Sequence, residues 1–136
     1  MDGVRSSLFE QLDFIYTPSA DAAADVERFT RDLGARLVFA IERFDTRVAM
    51  VEPAAGSPAV LFAEHLHGAG PILVYRVADI EAAAAELAAA GWDPGARSGI
   101  PHGPLYSFTA PGGQRLAIYE LTEPERAASI VGRRDF

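Results

Sequence analysis

Three histidines are the side chains in this 136-residue chain best suited to proton transfer or metal binding near neutral pH. His65 and His67 form an H-x-H pair in His65-Leu66-His67-Gly68-Ala69-Gly70. Two imidazoles are two donors short of a tetrahedral site, so a polar linker is preferred over an adventitious or regulatory metal. His102 stands in Gly99-Ile100-Pro101-His102-Gly103-Pro104, a loop that serves either as a plain surface turn or as the carrier of a general acid or base. Asp21 and Asp79 look catalytic in isolation. Each opens an alanine-rich stretch, however, where an aspartate caps a helix and stabilises its first turn by about 1 kcal/mol. Gly95-Ala96-Arg97-Ser98-Gly99 lacks the spacing of a G-x-S-x-G nucleophile elbow. No dinucleotide or phosphate-binding glycine motif is present. With no cysteine there is no thiolate nucleophile, disulfide or Cys-ligated zinc.

The elements that must position these residues read as one pattern written twice. Phe14-Ile15-Tyr16 leads through Thr17-Pro18-Ser19 to Asp21 and a helix carrying Val26, Phe29 and Leu33 on one stripe, closed by Gly34. Ile72-Leu73-Val74-Tyr75 leads through Arg76-Val77 to Asp79 and a helix carrying Ile80, Ala84 and Leu87, closed by Gly91. Strands are predicted over 37–42, 46–52 and 59–64 in the first half. In the second they are predicted at Trp92 and over 105–109 and 115–121. Breakers at Pro53-Ala54-Ala55-Gly56 and Pro111-Gly112-Gly113 precede matching strands. The order is β-α-β-β-β, twice. It makes residues 1–136 one α+β domain, with modules at 12–64 and 71–121 and a tail at 122–136. Either module alone leaves one sheet face bare, so the two should pair into a cupped mixed β-sheet with flanking helices. Thr122-Glu123-Pro124-Glu125 predicts a capping box for a short last helix.

Composition excludes several functions. Hydrophobic residues make up 49% and charged ones 23%, as in an ordinary folded domain. Nineteen acidic residues oppose twelve basic ones, all arginine, for a net charge of -7, which sets nucleic acid aside as a partner. Met1-Asp2-Gly3-Val4-Arg5 has no apolar leader core, and the alanine run over 82–85 is far too short to cross a membrane. A cytoplasmic protein with no membrane partner is the expectation. The missing lysine and abundant alanine point to a GC-rich, bacterial genome.

Two βαβββ modules in so short a chain resemble the vicinal oxygen chelate superfamily: glyoxalase I, bleomycin-resistance proteins and extradiol dioxygenases. The resemblance spans about residues 12–121. It rests most on Pro111-Gly112-Gly113-Gln114-Arg115-Leu116, similar to the family's turn before its last strand, and on Val77-Ala78-Asp79 before an alanine-rich helix. Metal-dependent members take one ligand from each of four strands. Carried onto this sequence, those positions read Phe14, Val60, Ile72 and Ala117, which offer no donor to a divalent cation. A one-residue slip would instead turn Asp13 and Glu120 inward, with Leu61 and Leu73.

If the four positions face the cup, their period-two neighbours Tyr16, Phe62, Val74 and Tyr119 face it too. Arg76, Glu64, Arg115 and Leu121 then lie nearer the rims. The arginines would pair with Glu64 or Glu120, or clamp a ligand carboxylate. The aromatics are either core or a binding wall. The resulting expectation is a protein without cofactor or metal that binds a small hydrophobic or aromatic ligand such as an antibiotic, working as a homodimer, with or without exchanged halves. Its alternatives are a metal-dependent lyase, isomerase or dioxygenase, a metal-free enzyme using His102, and an interaction module resting on the tail over 127–131.

Overall fold

Local chemistry sets each helix boundary. In the computed structural model, which describes residues 7–43, 45–56, 58–68 and 70–136, α1 (Ala22–Leu33) begins where the Asp21 carboxylate accepts the Ala24 amide at 3.1 Å. It ends at Gly34, whose φ of 68° is left-handed. The helix α2 (Ile80–Ala89) repeats this, with Asp79 accepting the Ala82 amide at 3.1 Å and Gly91 turning left-handed just past the end. Both aspartates are therefore caps. The residues 1–5 read for a leader, and Ala69 of the linker, lie outside the described residues.

The strands are β1 (Gln11–Pro18), β2 (Arg36–Arg43), β3 (Thr46–Glu52), β4 (Ala59–Ala63), β5 (Ile72–Arg76), β6 (Asp93–Ile100), β7 (Gly103–Thr109) and β8 (Arg115–Tyr119). They form one mixed sheet in the order β2-β3-β4-β1-β5-β8-β7-β6. Both modules thus share a single α+β sheet, joined where β1 pairs antiparallel with β5. That joint is symmetric. Phe14 pairs with Val74 and Tyr16 with Ile72, so each strand meets its own counterpart about Ile15–Leu73.

One sheet face carries α1 over Ala49, Val51 and Phe62, and α2 over Phe108, Leu116 and Ile118. The opposite, concave face gathers Phe14, Leu61, Ile72, Val74, Ala117 and Tyr119 into one apolar cluster. Val60 and Phe62 are the exceptions to the predicted wall. Both pack on the α1 side, Phe62 with its ring 4.9 Å from Phe29. The physical reason is register. Ser19 donates to Ala63 O at 3.1 Å, and Val77 to Tyr119 O at 2.9 Å, which makes Ala63 the counterpart of Tyr119 and Leu61 that of Ala117. Counting forward from the Gly56 turn runs one residue short, and one residue inverts every side chain of β4.

Two more expectations change. The loop read over residues 99–104 is mostly strand, because β6 pairs with β7 and a tight turn at Pro101-His102 joins them. The last helix, α3 (Pro124–Ser129), opens on Glu123 with no side-chain cap. Pro124 at its first turn replaces the expected capping box. Among the described residues, no helix is long and apolar enough to cross a membrane.

Candidate functional site

A polar cluster interrupts the apolar cup at one end, and a backbone irregularity creates it. The pairing of β1 with β5 slips between Leu12 and Phe14, so Leu12 opposes Tyr75 while Phe14 opposes Val74. This bulge turns Asp13 to the same side as Phe14. The Asp13 carboxylate is buried. It accepts the Tyr119 hydroxyl on Oδ2 and the Gln11 amide on Oδ1. Arg76 lies beside it, with Nε 3.9 Å from Asp13 Oδ2 and 3.2 Å from Glu10 Oε1. Asp13 therefore reaches the cup without the whole-strand slip considered above.

His102 completes the cluster from the β6–β7 turn. Its ring sits 4.9 Å from Phe14 and 6.0 Å from Tyr119. Its Nδ1 is buried and has no hydrogen-bond partner among the described residues. Burial lowers the His102 pKa, and the Asp13 charge only partly offsets this. Burial, with the bond to Asp13 second, pushes the Tyr119 hydroxyl well above its ordinary value. The cluster thus pairs a phenol that stays protonated with an imidazole biased toward its neutral form. The turn is held close because Gly103 has no side chain: a Cβ there would stand 2.1 Å from Glu120 O.

The other predicted residues separate into two groups. Phe14, Ile72, Val74, Ala117 and Tyr119 share the cup face, with Tyr16 packed at its margin. Tyr16 OH lies 3.4 Å from His65 Nε2, and His65 Nδ1 lies 3.2 Å from Thr46 Oγ1, so this linker histidine is tied to the rim of the cup. Burial raises the Tyr16 pKa. Arg76 faces Glu10 and Asp13, while Arg115 donates to the carbonyls of His67 at 3.2 Å and Gly70 at 2.9 Å. Glu64 and Glu120 instead accept the first helical amides, Ala22 at 2.8 Å and Ile80 at 2.9 Å. Asp13 is the residue that sequence reasoning left pointing outward, since a bulge has no signature in a single strand.

The metal site that the resemblance implies would draw, at the register the structure sets, on Phe14, Leu61, Ile72 and Ala117, all hydrocarbon, which do not fit a divalent cation. Among the described residues, no three His, Asp or Glu side chains gather as a cation site.

No family profile matches the chain, and no curated protein matches it in sequence. Solved structures do match in shape. A methylmalonyl-CoA epimerase from Mycobacterium tuberculosis superposes with a TM-score of 0.72 at 21% identity, over 92% of this chain and 96% of that one. A Streptomyces coelicolor methylmalonyl-CoA epimerase in complex with 2-nitronate-propionyl-CoA gives 0.68 at 16% identity, over 84% and 96%. The 2,3-dioxygenase LapB from Pseudomonas sp. KL28 gives 0.61 at 17% identity, over 82% of this chain and 42% of that one. At such identities the shared property is the fold. This chain has the vicinal oxygen chelate fold that its repeated modules resemble.

Proposed function

We propose that this chain, built on the vicinal oxygen chelate fold, is a metal-free binding protein that takes a small hydrophobic or aromatic molecule into its cup. The observation that carries the reading is the cup face itself, with hydrocarbon at all four ligand positions and one polar cluster at its end. Such a wall suits a flat apolar body whose polar end reaches His102 or Arg76. The fold neighbours include an epimerase seen with a coenzyme A derivative. A net charge of -7 with no lysine disfavours a ligand rich in phosphate and favours a neutral or cationic one, such as a cationic antibiotic. The protein would act in the cytoplasm of a bacterium as a homodimer that sequesters its ligand, much as bleomycin-resistance proteins do.

The test is native mass spectrometry without chelators, followed by a thermal-shift screen of aromatic compounds and antibiotics. A dimer carrying a small organic mass and no metal is the expected result. A stoichiometric transition metal in each subunit, or a screen with no hit, would overturn the reading. Sedimentation as a monomer at micromolar concentration would remove the dimer alone.

A second reading, a metal-free enzyme, is favoured by one feature: the buried, unpartnered Nδ1 of His102 beside Asp13 and Tyr119. A neutral imidazole there could accept a proton from a bound substrate. Turnover of any superfamily-type substrate that is lost in His102→Ala, with folding intact and no response to chelators, would favour the enzyme.

A further inference from the structure

The C-terminal segment crosses from one half of the molecule to the other over the concave face. At its start, the amides of Thr122 and Glu123 donate to His102 O at 3.1 and 2.9 Å, and Arg126 Nε donates to Pro101 O at 2.9 Å. At its far end it lies along β2, an outer strand of the sheet. There the Gly132 amide donates to Val38 O at 2.8 Å, the Ala40 amide to Arg133 O at 2.9 Å and the Asp135 amide to Ala40 O at 2.6 Å. The Asp135 carboxylate also accepts the Glu42 amide at 2.9 Å and pairs with Arg133 at 2.8 Å.

Between these two attachments the chain is poorly supported. No residue of α3 is buried, and Ala127 is half-buried. Just past the helix, Ile130 packs against the cup cluster. The cup wall is shut off from solvent: Val74 is 1% exposed, Ala117 1% and Tyr119 2%. A ligand meant for that wall must displace something. The segment is held at an outer strand by a few hydrogen bonds and by Phe136, which packs at the edge of the α1-side cluster with Arg47 5.0 Å over its ring. It opens at less cost than any strand inside the sheet, because water replaces each such hydrogen bond with little net loss.

We propose that residues 124–136 form a strap latched to β2, and that the cup admits its small aromatic ligand only when the latch along Val38, Ala40 and Glu42 peels away. The proposal rests on the reading of the cup as a binding site. Gly132, with φ of 86°, joins the span to the latch and supplies its bend. The anchor at His102 stays in place, so the strap swings from the end that carries the polar cluster.

The chain has no cysteine, so one engineered pair can lock the strap without competing thiols. Ala40 and Arg134 are bridge partners, which makes Ala40→Cys with Arg134→Cys the natural pair. The probe is the uncharged aromatic dye N-phenyl-1-naphthylamine, whose fluorescence rises on entering an apolar site, followed by stopped flow. Uptake should slow by at least about tenfold in the oxidised pair relative to the same protein reduced. Asp135→Ala, which removes the acceptor for Glu42, should quicken uptake severalfold.

Equal rates in the oxidised and reduced pair, with Asp135→Ala unchanged from the native protein, overturn the strap and leave the cup reading intact. Absence of dye binding in every form sinks the cup reading. The strap is then decided without ligand by hydrogen exchange. The amides of Ala40, Glu42, Gly132 and Asp135 should exchange as one unit, well before those that join β3 to β4. Exchange of these four only at the rate of global unfolding overturns it.

Discussion

Asp13 and Tyr119 stabilise one another where neither would be tolerated alone. Tyr119→Phe leaves Asp13 Oδ2 short of a donor in a buried site and should cost about 1–3 kcal/mol. Asp13→Leu strands the phenol in the same way. The double variant should cost less than the two single losses added together, and denaturant titration of the four proteins measures the difference. Full additivity would mean that the pair is not coupled. His102 gives a pH signature of definite sign. Its folded-state pKa lies below the ordinary 6.5, so the unfolded chain binds a proton there more readily. Stability from this group is complete above 6.5 and declines as pH falls through 6.5 toward the lower folded value. The melting temperature should therefore drop between about pH 7 and 5, and drop less in His102→Gln. An unchanged slope in the variant would dissociate His102 from that decline. At this scale the sequence announced the capping aspartates, because a cap is a local act of one side chain on the next turn. It did not announce Asp13, whose direction depends on how β1 registers against a strand from the other module.

The N-termini of α1 and α2 are each held by two carboxylates, one from the residue before the helix and one from just past its module's last strand. For α2 these are Asp79 and Glu120, for α1 Asp21 and Glu64. Removing the acceptor with Glu120→Ala should cost about 0.5–2 kcal/mol, by analogy with caps. Glu120→Gln keeps an acceptor, loses the attraction to the helix dipole, and should cost less. Thermal melts of both variants would show the order, and a reversed order would mean that the charge opposes folding there. The glutamates also explain which strands were readable. Counted back from Glu64 and Glu120, β4 and β8 fall into matching registers. Counted forward from their turns they do not, and that cost Val60 and Phe62 their place in the cup. The strand β6 was illegible for another reason. Asp-Pro-Gly-Ala-Arg-Ser-Gly-Ile has no alternation, and seven of its eight residues are exposed, so only pairing with β7 makes it a strand.

Across the molecule, the repeated order of elements disclosed the architecture, because a duplicated pattern must bury its two bare faces together. The path of the tail was hidden, since nothing local in residues 130–136 says that they return to β2. The shared sheet predicts one cooperative unfolding transition, with coincident fluorescence and circular dichroism curves. Two separated transitions would mean that the modules fold independently. The symmetric pairing of β1 with β5 has a further consequence. A strand that meets its own counterpart cannot tell whether the partner belongs to the same chain or to another. What keeps the pairing internal is the tether after Glu64, which holds the second module at an effective concentration of roughly millimolar. Shortening that tether should turn one closed molecule into two interlocked ones that keep the β1–β5 pairing, now made between chains.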